Sequence, residues 1–126
     1  MSKKAIKTEN APKAIGPYSQ AVRSGRHLYC SGQIGIDPAT SDLVPGGIEA
    51  ETRQVLLNLA AVLAEAGVTT DAVVKTTIYL IDIGDFGRVN EIYGAFFSEP
   101  FPARATVAVK ELPRGARVEI DAVAMV

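Results

Sequence analysis

Residues 49 to 66, EAETRQVLLNLAAVLAEA, place Val55, Leu56, Leu59, Val62, Leu63 and Ala66 at the spacing of one helix face. Acidic residues in the first turn suit the positive end of a helix dipole, and Gly67 stands where the helix must stop. A helix that is apolar on one side only is stable when that side lies against another layer. A second such stripe follows, with Asp85 as N-cap, Phe86, Val89, Ile92 and Phe96 on one face, and Pro100 and Pro102 beyond its end. Between the two stripes, AVVKTTIYLID (residues 72–82) is rich in β-branched residues and reads as a buried strand. Two one-sided helices separated by a strand call for a sheet that both of them cover.

The flanks supply the other strands. Residues 5–20 read as an extended segment with two X-Pro steps, and residues 21–36 as a hairpin turning near Ser24-Gly25. Residues 101–124, FPARATVAVKELPRGARVEIDAVA, read as a second hairpin around the Pro and Gly of LPRG. The expected order is β-β-α-β-α-β-β. The fold class is α+β, a single mixed sheet with two helices packed on one face, in one domain spanning residues 1–126. The other sheet face, assigned Thr76, Ile78, Leu80, Thr106, Ala108 and Val123, is too apolar to stay in water. A further copy of the chain is its simplest cover, so an oligomer is expected.

With 126 residues the chain is long enough to bury a core without a metal or disulfide, and its 48% hydrophobic and 21% charged residues are ordinary for a globular protein. The net charge of −1 argues against nucleic acid as a partner. Apolar runs stop short of membrane-spanning length, and MSKKAIKTENAPK lacks the apolar core of a secretory signal, so a cytoplasmic, non-membrane protein is expected. The lone Cys30, inside the apolar run HLYCSG, reads as a buried thiol.

Few residues suggest chemistry. There is no phosphate-binding glycine loop, no cysteine pair for zinc and only one histidine, His27, beside Arg26 just after a turn, where a plain surface role is favoured. Ser31 lacks a base to activate it and suits ligand hydrogen bonding better than nucleophilic attack. Arg104 and Glu119 are different, because each interrupts a strand built of Val, Ile, Ala and Thr. A guanidinium offers a planar fork to a carboxylate, and a partly desolvated glutamate can hold or deprotonate water. A solvated strand position or a structural ion pair explains the two residues equally well. Tyr18 and Asn90 carry the same ambiguity between pocket and packing roles, and Gly32 and Gly35 allow close approach to a ligand or to another strand. If the hairpin pairs Lys110 with Arg117, Arg104 lies opposite Val123 and Glu119 opposite Ala108, on one face but on the order of 13 Å apart along the strand. Only a neighbouring chain would then bring the two groups together.

At these residues the chain resembles the RidA (YjgF-type) family of reactive-intermediate deaminases. The matching blocks are APKAIGPYSQAV, YCSGQIGIDP, VVKTTIYLIDIGDFGRVNEIY, FPARATVAV and LPRGARVEIDAVA, which cover nearly the whole chain. The resemblance implies a chorismate-mutase-like α+β fold, a homotrimer with clefts between subunits, no cofactor, and hydrolysis of imines and enamines such as 2-aminoacrylate to 2-oxo acids and ammonia. It places the carboxylate-binding arginine at Arg104, the water-positioning glutamate at Glu119, the pocket tyrosine at Tyr18, the Ser-Gly loop at Ser31-Gly32 and the helix asparagine at Asn90. Thr106 departs from the family, since many bacterial members have cysteine there; its backbone can still line the pocket, but thiol chemistry does not carry over. RNA cleavage is also ascribed to family members, and a non-catalytic carboxylate-binding module would keep Arg104 without needing Glu119.

Overall fold

The computed structural model describes residues 2–126. Eight strands and two helices follow in the order β1 (Lys3–Ile6), β2 (Ala21–Ser24), β3 (His27–Gln33), β4 (Ile36–Asp37), β5 (Asp42–Leu43), α1 (Gly47–Glu65), β6 (Val73–Leu80), α2 (Phe86–Phe96), β7 (Ala103–Ala108) and β8 (Val118–Met125). Six strands form one mixed sheet in the order β1-β2-β3-β8-β6-β7, and β4 and β5 pair separately. Only β6 and β7 run parallel, as expected of strands joined through a helix.

Helix α1 ends as its sequence implies. Gly67 takes a φ of +82°, Val68 N–H donates to Leu63 O at 3.0 Å and Gly67 N–H to Ala64 O at 3.0 Å, the paired bonds of a Schellman motif. Its stripe of Val55, Leu56, Leu59, Val62 and Leu63 is buried with Leu28, Ile78, Leu80, Val118, Ile120 and Ala124 of the sheet. Helix α2 joins the same core through Val89 and Tyr93, with Phe97 just beyond its end, so its inward face is rotated from the expected one and Phe86, Ile92 and Phe96 flank it. The N-terminal segment is tied down by the buried Gln20, which accepts from Thr8 N–H at 2.7 Å and donates to Thr8 O at 3.0 Å and Pro12 O at 2.8 Å.

Two expectations are corrected. The 101–124 segment is not a hairpin, because β6 lies between β7 and β8. The turn signal is real, with a helical turn at Pro113–Gly115 and positive φ at Arg114 and Gly115, but it shapes one corner of a longer loop. That loop passes the end of β6, where Val109 N–H donates to Leu80 O at 2.7 Å and Ile81 N–H to Arg117 O at 3.3 Å. Lys110 and Arg117 therefore belong to the connection. An apolar strand such as β6 gains more from two neighbours than from one, and the central position provides them.

The second correction concerns the faces. Thr76, Ile78 and Leu80 are fully buried under the helices, and their register partners Arg104, Thr106 and Ala108 share that side. The uncovered face instead carries Thr77, Tyr79, Val107, Glu119, Asp121, Val123 and Tyr29, of which Glu119 and Val123 were expected there, whereas Thr76, Ile78, Leu80, Thr106 and Ala108 lie on the other side. Tyr29 and Val107 remain 50% and 41% exposed, so this face is still apolar enough to need a cover.

Candidate active site

The candidate residues fall into two groups on opposite sides of the sheet. The first is built where α2 passes over β7. Arg104 lies level with Thr76 on β6, and its side chain runs along α2, where one guanidinium nitrogen donates to Asn90 Oδ1 at 2.8 Å. The guanidinium carbon sits 4.9 Å from the Tyr93 ring centre and 5.2 Å from that of Phe86. Beside it opens a depression of about 390 Å³ lined by Asn90, Tyr93, Gly94, Phe101, Pro102 and Arg104. Thr106 is on the same side, two residues along the strand. The arrangement presents a fixed cation with free N–H groups over a partly apolar floor, which suits a small carboxylate.

The second group surrounds Glu119 on the uncovered face of β8. The pairing of β3 with β8 shifts between Cys30 and Gln33, and this bulge carries Ser31 and Gly32. The Glu119 side chain lies against Gly32, where any Cβ would come within 2.8 Å of its carboxyl carbon. Gly32 is thus a close-approach glycine, and what approaches it is Glu119. Ser31 Oγ donates to Ser19 O at 2.6 Å and Ser31 N–H to Gln20 O at 3.0 Å, which ties the bulge to the arm that presents Tyr18, 54% exposed. Half-burial, followed by the charge of Asp121, raises the Glu119 carboxyl above the ordinary carboxylate range. Asp121, two residues along on the same face, accepts from Tyr79 Oη at 2.9 Å. A desolvated carboxylate beside small, polar backbone can hold a water and take its proton.

The sheet keeps the two groups apart. Glu119 lies level with Tyr79 and Arg104 with Thr76, so the pair is offset by three residues and two strands, roughly 14 Å between backbones, with side chains on opposite faces. No small molecule can touch both within one chain. The expectation that the two charges share a face is corrected, because it rested on the hairpin.

The other candidates resolve simply. His27 is exposed and stacks on Tyr29, ring centres 6.0 Å apart. Gly35 faces the backbone of Glu51 in α1, so its close approach is to a helix. A larger groove of about 700 Å³ runs along the N-terminal segment past Lys7, Lys13 and Tyr18, but includes neither Arg104 nor Glu119. Among the described residues, no three His, Cys, Asp or Glu side chains gather as a metal site. Sequence reasoning missed Phe86 and Tyr93 as neighbours of Arg104, although with Asn90 they fall at helical spacings of four and three. It also missed Asp121, which shares Glu119's strand parity.

Fold and side chains together describe a small α+β protein with a held cation at one sheet edge and a desolvated carboxylate on the opposite face. The chain belongs to the Rid family: the family model described as Endoribonuclease L-PSP matches residues 8–126. It is 54% identical to the 2-iminobutanoate/2-iminopropanoate deaminase of Mus musculus over 98% of this chain and 91% of that protein. It is also 54% identical to protein DfrA of Myxococcus xanthus, over 99% of this chain and 97% of the relative. A crystal structure of a Rid-family protein of unknown function from Yersinia pestis superposes with a TM-score of 0.97 at 54% identity, covering 99% of this chain and all of that one. No helix among the described residues is long and apolar enough to cross a membrane.

Proposed function

We propose that this protein hydrolyses small 2-imino carboxylates, formed by tautomerisation of enamines such as 2-aminoacrylate, to 2-oxo acids and ammonia. The reaction takes place in the cytoplasm, without a cofactor, in clefts between the subunits of a homotrimer. The observation that carries this reading is the placement of Arg104 and Glu119 on opposite sheet faces, each incomplete alone, beside an apolar face that a second copy would cover. The deaminase relatives support the same chemistry.

In the mechanism, the substrate carboxylate docks on the free N–H groups of Arg104, beside Asn90 and the backbone near Thr106. Tyr18, Ser31 and Gly32 of the neighbouring copy close the cleft and bring Glu119 to the water. Glu119 takes a proton as the water oxygen bonds to the C=N carbon, and the π electron pair moves to nitrogen. Glu119 returns its proton to the carbinolamine nitrogen, the remaining hydroxyl proton is transferred to that nitrogen as the C–N bond breaks and the C=O bond forms, and the 2-oxo acid and ammonia leave. Imines hydrolyse readily in water, so orientation supplies much of the acceleration and no extreme pKa is needed.

The test is complementation. Arg104→Ala and Glu119→Ala chains are co-expressed with different tags, and the doubly tagged assemblies are purified. Every mixed trimer contains one cleft with both residues intact, so ammonia release from freshly generated 2-aminoacrylate should return although each variant alone is inactive. Activity no higher than that of either variant would refute the shared cleft. An RNA-cleavage assay on the same samples addresses the other activity suggested by the family description. Retained carboxylate binding with no turnover in the wild type would mark a binding module.

A further inference from the structure

We propose that Phe86 and Tyr93 are positioning residues for the carboxylate anchor: their ring faces hold the Arg104 guanidinium in its binding orientation while leaving its hydrogen-bonding edge free. The inference rests on the reading of Arg104 as that anchor. Arg104 projects from an edge strand and is exposed, where an arginine side chain ordinarily samples many rotamers. Here three contacts restrict it, the Tyr93 ring at 4.9 Å, the Phe86 ring at 5.2 Å and the Asn90 carbonyl at 2.8 Å.

The support behind the clamp is itself fixed. Tyr93 is 3% exposed, its hydroxyl lies 2.7 Å from the buried Thr76 Oγ1, and its ring centre lies 4.6 Å from that of Phe97. Thr76 is also the strand partner of Arg104, so sheet register and helix position locate the ring and the cation together. The choice of partner matters chemically. None of the ion pairs among the described residues includes Arg104. A protein carboxylate there would satisfy the guanidinium and compete with the ligand, whereas aromatic faces stabilise the cation and occupy none of its N–H groups. Asn90 takes one of those groups, and Arg104 itself lines the depression that Gly94 and Phe101 also border.

The experiment compares wild type, Phe86→Leu, Phe86→Tyr and Arg104→Ala. Each is titrated with pyruvate and with its neutral amide, and the Arg104 Nε–H resonance is followed by NMR. Loss of one exposed cation-π contact corresponds to about a two- to five-fold weakening. Phe86→Leu is expected to weaken pyruvate by that factor and to raise KM for the imine equally, with kcat within two-fold and amide binding unchanged. Phe86→Tyr keeps the ring and should stay within two-fold of wild type throughout. If Phe86→Leu fails to fold, Phe86→Met serves the same purpose. Unchanged pyruvate affinity in the ring-less variant, or an equal loss for pyruvate and amide, would overturn the clamp. Wild-type pyruvate affinity in Arg104→Ala would instead remove the anchor itself, and the clamp with it.

Discussion

Gly32→Ala separates the candidate site from the fold that carries it. Gly32 has no positive φ, so alanine fits the backbone, and restricting the unfolded chain contributes about 0.4–1 kcal/mol of stability. The new methyl would stand 2.8 Å from the Glu119 carboxyl carbon and 3.0 Å from its Cγ, against 3.4 Å for ordinary contact. The carboxyl carbon must therefore retreat by at least about 0.6 Å, and its nearer oxygen by more. Forced into a closed core, such crowding costs about 1–3 kcal/mol. Glu119 is half-buried and flexible, so it swings aside and the net stability change stays within about 1 kcal/mol. Its position changes more than its energy, and a misplacement near 1 Å costs a reaction on the order of a hundred-fold. Urea denaturation checks the first quantity, and ammonia release from 2-aminoacrylate checks the second. The double variant Gly32→Ala/Glu119→Gln should be no slower than Glu119→Gln alone, because the methyl acts only through that carboxylate. Full activity in a stable Gly32→Ala protein, or multiplying losses in the double variant, would show that the bulge does not set the position of Glu119.

The raised pKa of Glu119 has a stability consequence of definite sign. The native state holds this proton more tightly than the unfolded chain, so stability is lost as pH climbs from the ordinary carboxylate value of 4.5 through the raised one, and no penalty exists below that window. Glu119→Gln should therefore raise Tm at neutral pH and lose this advantage under acid conditions; a lower Tm at neutral pH would contradict it. Cys30 is pushed up to about 11 by burial and then by the charge of Asp121, so the native thiol should resist a disulfide reagent at neutral pH and release one equivalent in urea. Equal reaction rates for folded and unfolded protein would place the thiol outside the core.

Local features were legible because they depend on neighbours in sequence. The stripe from Val55 to Leu63, the Gly67 stop, the 72–82 strand and the turn between β2 and β3 all lie where their residue types place them. Parity within each strand was equally readable, since Arg104 does share a side with Thr106, and Glu119 with Asp121. Which side meets the helices was not, because alternation divides a strand into two rows without naming the buried one. Register between distant strands was hidden for a similar reason: Pro113 and Gly115 announce a turn but not the path of the loop around it. Asn90 could be singled out by resemblance, while its hydrogen bond to Arg104 required the helix to be docked. The role of Gly32 became visible only once β3 and β8 were paired.

The place of β8 between β3 and β6 also orders how the sheet can form. β1, β2 and β3 follow one another as an antiparallel meander, and β6, α2 and β7 make a second local unit. Until residues 118–125 insert, these are two separate half-sheets with facing open edges, joined only through α1 and its loops. A β7–β8 hairpin would need a much shorter loop closure than the native pairing of β8 with β3, yet it would leave that seam unfilled. The C-terminal strand is therefore the keystone of the sheet, because the native order closes only when β8 pairs with β3 on one side and β6 on the other.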